Sequence, residues 1–195
     1  MSLVTTEWLE KNISKVKVID SSWHMPNADR DGYKEYIKEH IQNAIFFDID
    51  KNSDQNIDLP HMLVNKDSWE KIISLMGISN KDRIIIYDNS DVISSCRLWY
   101  NFIYFGHDPQ LVNVLDGGLK KWKYENRKLT NIPTKTKISK YFATELKDLV
   151  KDKKKIDINI IENKFRVVDA RSKERFDGKV KEPREGLRSG SIPKS

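Results

Sequence analysis

Cysteine is almost absent from this chain of 195 residues, and so are segments that would direct a protein to a membrane. The single thiol, Cys96, cannot form an intrachain disulfide, whereas secreted domains of this size usually carry several. No apolar run approaches the ~18–20 residues of a membrane span. The first ten residues have neither the basic nor the apolar region of a secretion signal. We therefore expect a cytoplasmic protein without a membrane partner.

Metal-ligand patterns are lacking as well. The four histidines show no metal-ligand spacing, so we expect no metal and no other cofactor. Aromatic residues, by contrast, are plentiful: five Trp, seven Tyr and seven Phe, in a sequence that is 38% hydrophobic, exclude a disordered chain. Because domains cluster near ~100–150 residues, the length allows one domain and part of a second.

The positive charge is concentrated in the last third of the chain. Residues 1–130 carry 17 basic and 19 acidic side chains, and residues 131–195 carry 18 and 10. The lysine-rich run 151–155 has no interleaved aromatic residues and no nucleic-acid-binding module around it, which favours a solvated surface over a nucleic-acid site. For the arginines further on, we prefer a basic pocket that holds a small anionic substrate.

Strand and helix patterns alternate in the first two-thirds. Val16–Asp20, Ile84–Asp88 and Val112–Leu115 are short runs rich in β-branched residues. Asp67–Met76 and Ser94–Phe105 have helical spacing and stop at glycines. Alternation of this kind is typical of an α/β fold, with a central, mainly parallel sheet flanked by helices.

An internal repeat suggests a duplicated domain. In the first copy, Val16–Asp20 precedes His40–Ala44; in the second, Phe165–Asp169 precedes Ser191–Ser195. Two short strand patterns can also coincide by chance, and the pattern alone leaves that alternative open. We expect a complete domain at residues 1–132, a linker with a short helix at 133–155, and the incomplete start of a second copy at 156–195.

Several motifs carry a family resemblance that covers the chain nearly end to end. In chain order they are Leu3–Leu9, Phe47–Asp50, Leu59–Leu63, Gly106–His107, Leu115–Trp122, Val168–Phe176 and Glu182–Pro193. Together they resemble two-domain sulfurtransferases of the rhodanese and 3-mercaptopyruvate sulfurtransferase family. The resemblance implies an enzyme that takes sulfur from 3-mercaptopyruvate or thiosulfate and passes it to a thiol or cyanide through a cysteine persulfide.

The resemblance also implies where the nucleophile lies. In this family the thiolate follows a buried strand of the second domain, and the matching loop of the first domain begins here at Asp88, a poor sulfur acceptor. We therefore expect domain 1 to be non-catalytic and the nucleophilic Cys to be absent from this chain. Cys96 falls inside an apolar helix, where we expect a buried, neutral thiol. Arg97 is expected to pair with a carboxylate near the domain interface.

Two pairs of residues match the family's substrate site. Arg175 and Arg184 correspond to arginines that bind the donor carboxylate, which guanidinium groups hold with paired hydrogen bonds. Without the resemblance, both are typical of surface charges in a basic segment. Asp50 and His61 correspond to an Asp and a His that assist proton transfer. Taken alone, His61 is typical of a turn residue, and Trp23 suits either an interface or the core.

Two functions from different classes follow. The preferred one is sulfur transfer in the intact protein, with the chain Met1–Ser195 inactive by itself. The rival is a non-catalytic rhodanese-like module that binds a partner or regulates. An incomplete second domain would leave a strand edge and an apolar face uncovered, which favours self-association. Neither the preferred donor nor the acceptor follows from the sequence.

Overall fold

A computed structural model describes residues 2–183 and 186–195. The chain forms two compact units, Met1–Lys147 and Asp148–Ser195. No helix in the described residues is long and apolar enough to cross a membrane.

The first unit is built on a five-stranded parallel sheet. Its strands are β1 (Leu3–Val4), β2 (Lys17–Asp20), β4 (Ala44–Phe46), β5 (Ile84–Tyr87) and β6 (Val112–Leu115), and their order is β1-β6-β5-β2-β4. A separate antiparallel pair joins β3 (His40–Ile41) and β7 (Leu129–Thr130). The expected α/β fold with a mainly parallel sheet is confirmed.

Short helices connect the parallel strands. They are α1 (Thr6–Asn12), α2 (Gly32–Lys38), α3 (Lys66–Leu75), α4 (Ser94–Tyr104) and α5 (Gly118–Tyr124), together with a 3₁₀ turn at Pro26–Ala28. Polar caps define several of the starts, because their side chains accept backbone N–H groups that have no partner within the helix. Asn65, for example, accepts the N–H of Ser68 at 2.9 Å and so begins α3.

Buried side chains lie on both faces of the sheet. Because successive strand residues point to opposite faces, Ile84 and Ile86 of β5 join one cluster and Ile85 and Tyr87 join the other. The first cluster contains Trp69, Phe102 and Phe105, and the second contains Leu9 and Trp122. A sheet buried on both faces explains why β5 is a continuous apolar run.

The polar segment after β7 belongs to the first unit. Tyr141 and Ala143 are buried in the core, and the N–H of Tyr141 donates to the hydroxyl of Ser74 at 3.1 Å. The boundary between the two units therefore falls between Lys147 and Asp148, later than the expected domain end at residue 132. The packing of this segment could not be predicted from its sequence, because the segment is polar and only two of its side chains enter the core.

In the described residues of the second unit, the regular elements are helices. It contains α6 (Lys153–Glu162) and α7 (Lys173–Phe176), preceded by a 3₁₀ turn at Lys147–Leu149. The predicted strand Phe165–Asp169 forms no ladder here, since no other described segment pairs with it. Instead, the side chain of Asn159 holds Phe165 through both of its backbone groups, at 2.8 and 2.9 Å.

Candidate functional site

The carboxyl ends of β2, β4 and β5 meet at one edge of the sheet. All strands run in the same direction, but the order of strand addition reverses between β2 and β5: β4 lies on one side of this pair and β6 on the other. Ligands of open parallel sheets bind outside the strand ends at such a point. A cavity of about 410 Å³ opens there, with Trp23, His24, Arg30, Tyr33 and Asp50 in its lining.

Asp50 and His61, predicted as an auxiliary pair, lie in hydrogen-bonding contact. His61 Nε2 is 2.8 Å from one carboxylate oxygen of Asp50, and the indole N–H of Trp23 donates to the other at 3.0 Å. The rings of Trp23 and His61 meet edge to face, with centroids 4.8 Å apart. These contacts fix one orientation of an imidazole whose side chain is 20% exposed. Such an arrangement can hold or pass a proton.

A side chain of α4 also restrains His61, by contacting the His61 backbone. Its φ of +58° lies in the left-handed region, and the guanidinium of Arg97 donates to its carbonyl. The predicted pairing of Arg97 with a carboxylate is wrong for the described residues. Burial lowers the pKa of Arg97, and its Nε has no partner in the described chain.

Asp88 begins the loop between β5 and α4, as predicted. One of its carboxylate oxygens accepts the backbone N–H of Ser95 at 2.6 Å, and the hydroxyl of Ser94 lies 3.4 Å from the same oxygen. Only 8% of the residue is exposed. A negative charge is favoured at this place, because N–H groups at a helix start have no partner within the helix. The loop thus holds an anion, but its anion is a carboxylate and not a thiolate.

Cys96 is exposed, so the expected burial of its thiol is wrong. The residue lies in the first turn of α4 and lines a cavity of about 330 Å³ beside Asp88. Partial burial and then the negative charge of Asp88 raise the pKa of the Cys96 thiol. A raised pKa suppresses the thiolate, which is the reactive form.

Arg175, predicted to bind a donor carboxylate, lies in the second unit at the end of α7. Its guanidinium donates to the carboxylate of Glu182, at 2.5 and 3.1 Å. The second predicted arginine, Arg184, lies outside the described residues. Within the described chain, no group of three His, Cys, Asp or Glu side chains could hold a metal ion.

Residues 5–125 match the family model described as the rhodanese-like domain. The chain belongs to the rhodanese-like domain family. A thiosulfate/3-mercaptopyruvate sulfurtransferase of Arabidopsis thaliana is 35% identical, over 99% of this chain and 56% of its own length. The 3-mercaptopyruvate sulfurtransferase of Mus musculus is 33% identical over the whole chain and 67% of its own length.

Solved structures agree with these rhodanese-like relatives. SseA from Escherichia coli, described as a 3-mercaptopyruvate sulfotransferase, superposes with a TM-score of 0.88 at 28% identity, covering all of this chain and 73% of SseA. Tum1 from Saccharomyces cerevisiae superposes with a TM-score of 0.86 at 25% identity, covering 99% of this chain and 68% of Tum1. The chain thus spans little more than half of the Arabidopsis relative and about three-quarters of SseA.

The two copies of the predicted repeat differ beside their shared aspartate. Asp20 ends β2 and Asp169 is its counterpart, but the residue two positions later is Ser22 in the first copy and Arg171 in the second. Burial raises the pKa of Asp20 to about 6, although Ser22 donates to it twice. Hydrogen bonds from Arg171 lower the pKa of Asp169 to about 2. Aligning the two copies residue by residue would have revealed this exchange.

Proposed function

We propose that this chain is part of a sulfurtransferase that takes sulfur from 3-mercaptopyruvate or thiosulfate and gives it to a thiol or cyanide. The observation that carries the proposal is the match to enzymes named for these donors over nearly the whole chain. Asp88 replaces a sulfur acceptor, and the Cys96 thiol has a raised pKa. The nucleophile is therefore a cysteine outside these 195 residues.

The reaction with 3-mercaptopyruvate is a transfer of neutral sulfur. The cysteine thiolate attacks the donor sulfur, an S–S bond forms, and the C–S bond breaks with its electron pair going to the donor's methylene carbon. The thiol proton of the donor ends on that carbon, which yields pyruvate and the enzyme persulfide. An acceptor thiolate then removes the outer sulfur and restores the cysteine thiolate.

His61, Asp50 and Arg175 have distinct tasks in this proposal. His61 relays the proton, because Asp50 fixes its ring and leaves the other ring nitrogen for a transfer partner. Arg175 binds the donor carboxylate through paired, charge-assisted hydrogen bonds. Its partner in this task is Arg184, by its place in the family motif. The cytoplasmic location and the lack of a nucleic-acid partner stay predictions from composition and sequence pattern, and self-association stays a prediction from the incomplete second domain.

One observation favours a second function, a non-catalytic binding or regulatory module. The carboxylate of Asp88 accepts a hydrogen bond from the Ser95 N–H of its own loop. Arg30 stabilises the same loop by donating to the carbonyl of Asn89 at 3.1 Å. A rigid loop without a nucleophile suits a binding surface as well as the first domain of an enzyme.

Donor binding separates the two functions. We expect 3-mercaptopyruvate to bind the chain in isothermal titration and Arg175→Ala to weaken that binding at least tenfold, about the loss of one charge-assisted hydrogen bond. Lys179→Ala removes a nearby exposed positive charge and serves as the control. Absence of binding, or equal affinity in the Arg175 variant, would favour the binding module.

A further inference from the structure

Glu182 is a nearly buried carboxylate between two arginines. Its side chain is 4% exposed. One oxygen accepts Nη1 of Arg171 at 2.8 Å, and the other accepts both Nη2 and Nε of Arg175, at 2.5 and 3.1 Å. The hydrogen bonds from Arg175 lower the pKa of Glu182, so the group is ionised at neutral pH. A buried charge persists only when it is paired in this way.

The contacts use one particular edge of the Arg175 guanidinium. Nε and Nη2 form the side edge of the planar group, and both point to the same oxygen of Glu182. The end edge consists of Nη1 and the second N–H of Nη2, and its Nη1 has no hydrogen-bond partner in the described residues. About one-third of the side chain is exposed. Arg175 therefore presents a free end edge of the kind that binds a carboxylate through two parallel hydrogen bonds.

Glu182 is itself held by a rigid group. Arg171 donates Nε and Nη2 to Asp169, at 2.6 to 3.0 Å, and a further hydrogen bond from Nη2 reaches the carbonyl of Gly190 at 2.7 Å. The side edge of Arg171 therefore binds Asp169, and its Nη1 binds Glu182. The chain of contacts runs from Asp169, through Arg171 and Glu182, to Arg175 in α7.

We propose that Glu182 is a positioning residue, which fixes the side edge of Arg175 and so aims its end edge at the carboxylate of the sulfur donor. The inference rests on the proposed function, to which it adds a residue. Preorganisation of this kind strengthens binding because the flexible arginine no longer has to be ordered by the ligand.

A rival interpretation predicts an effect of opposite sign. If Glu182 merely occupied the anion site of Arg175, removing its charge would free the guanidinium and strengthen binding of the donor. If Glu182 is a positioning residue, removing its charge weakens donor binding, because the guanidinium of Arg175 then loses its fixed orientation. The direction of the change in affinity therefore separates the two.

The test measures 3-mercaptopyruvate binding to the 195-residue chain by isothermal titration. We expect Glu182→Gln to weaken binding by roughly tenfold, and Glu182→Asp, which keeps the charge, to recover part of it. Glu174→Gln is the control: the Glu174 side chain is exposed in α7 and makes no hydrogen bond to Arg175 in the described residues, so this variant removes an equal charge and leaves the contacts of Arg175 in place. We expect that variant to bind within twofold of the unchanged chain.

A second measurement reports on Arg175 without any ligand. The Nε–H of Arg175 donates to Glu182, so its signal in a ¹H–¹⁵N spectrum should exchange slowly with water and speed up at least tenfold in Glu182→Gln. The backbone amide signals of the same sample show whether the unit is still folded. Unchanged Nε–H exchange in a folded variant would overturn the positioning role.

The outcomes keep the two proposals apart. If Arg175→Ala abolishes binding but Glu182→Gln binds equally well or more tightly, the positioning role is wrong and the proposed function stands. If the unchanged chain does not bind, or Arg175→Ala binds normally, the carboxylate site fails and the positioning role fails with it.

Discussion

At the scale of single residues, the aspartates at matching positions of the predicted repeat have different surroundings. Asp169 is ionised and paired with Arg171, whereas Asp20 is buried beside Ser22, Tyr87 and the like charge of Asp88. A carboxylate that loses water without gaining a cation is destabilised, and the group responds by holding its proton. The first copy thus carries an acidic group whose charge acts against folding at neutral pH.

The stability of the first unit should therefore depend on pH through Asp20. Its pKa is about 6 in the folded chain and ~3.9 in an unfolded one, so the folded state binds the proton more tightly. Stability is greatest below pH ~4 with respect to this group, and it falls as the pH rises through 6. The full effect is about 3 kcal/mol, because one pKa unit corresponds to ~1.4 kcal/mol.

Asp20→Asn tests this dependence in urea unfolding at several pH values. The variant cannot ionise at this position, so the free energy of unfolding of the unchanged chain should fall relative to that of the variant by about 2 kcal/mol between pH 4 and pH 7. The change is smaller than the full effect because the unfolded aspartate is already about half ionised at pH 4. Exposed Asp58→Asn should show no such trend. A difference that stays constant with pH would contradict the assignment.

Asp50 orders its neighbours without contributing much stability. Its side chain is 64% exposed, so we expect Asp50→Ala to change the free energy of unfolding by less than ~1 kcal/mol. The indole N–H of Trp23 would lose its acceptor and should exchange faster with water. Indole signals in ¹H–¹⁵N spectra measure this directly, and Trp122, which donates to the carbonyl of Lys128, is an internal control. Slow Trp23 exchange in the variant would show that Asp50 does not hold the ring.

At the scale of elements, the start of α4 retains an anion-binding loop that its own sequence fills with Asp88. The backbone N–H of Ser95 donates to the carboxylate at this position, and a backbone donor is present whichever residue occupies position 95 other than proline. The loop therefore keeps the electrostatic part of a thiolate site and lacks the sulfur.

A thiol placed in this loop should be more acidic than an ordinary one. We expect the double variant Asp88→Cys, Cys96→Ser to react with iodoacetamide at a pH below the ~8.5 typical of free cysteine, because the Ser95 N–H stabilises the thiolate. The unchanged chain, in which Cys96 is the sole thiol, is the comparison, since its pKa is raised. Reaction of the double variant only at a higher pH than Cys96 would refute the anion-binding role.

The segment before the second unit depends on a glycine at the end of α4. Gly106 has a φ of +78°, and a Cβ built on it would lie 2.9 Å from the carbonyl oxygen of Thr144. We expect Gly106→Ala to destabilise the first unit by about 1–3 kcal/mol and to expose residues 139–146 to proteases. Thermal unfolding and limited proteolysis measure the two effects.

Asparagine at the same position identifies the cause. It tolerates a positive φ but still adds a Cβ, so Gly106→Asn should be nearly as destabilising as Gly106→Ala if the contact with Thr144 is responsible. Near-normal stability of the asparagine variant would assign the cost to backbone strain alone.

At the scale of the whole molecule, the proposed reaction assigns binding groups to these 195 residues and places its nucleophile outside them. We expect the chain to produce no pyruvate from 3-mercaptopyruvate above background, in the presence of a thiol acceptor, because a carboxylate cannot carry persulfide sulfur. Cys96→Ser is the control. Product that disappears in that variant would show that Cys96 is a nucleophile after all.

Much of this protein could be predicted from its sequence. The parallel α/β fold followed from alternating strand and helix patterns, since apolar periodicity is a local property of the chain. The family followed from motifs such as Leu115–Trp122, and the loop position of Asp88 followed from the strand before it. Each of these features depends on residues close together in sequence, which is why they can be read without coordinates.

Only the tertiary structure decided the environment of each group. The burial of Asp20 and the exposure of Cys96 depend on neighbours from other elements. The hydrogen bond from Arg97 to the His61 carbonyl and the contacts of Glu182 join residues that are distant in sequence. Desolvation and hydrogen bonding fall off within a few ångströms, so they are set by which side chains the fold brings together. The sequence determined which chemical groups are present, and the packing of the chain determined which of them are charged, held or free.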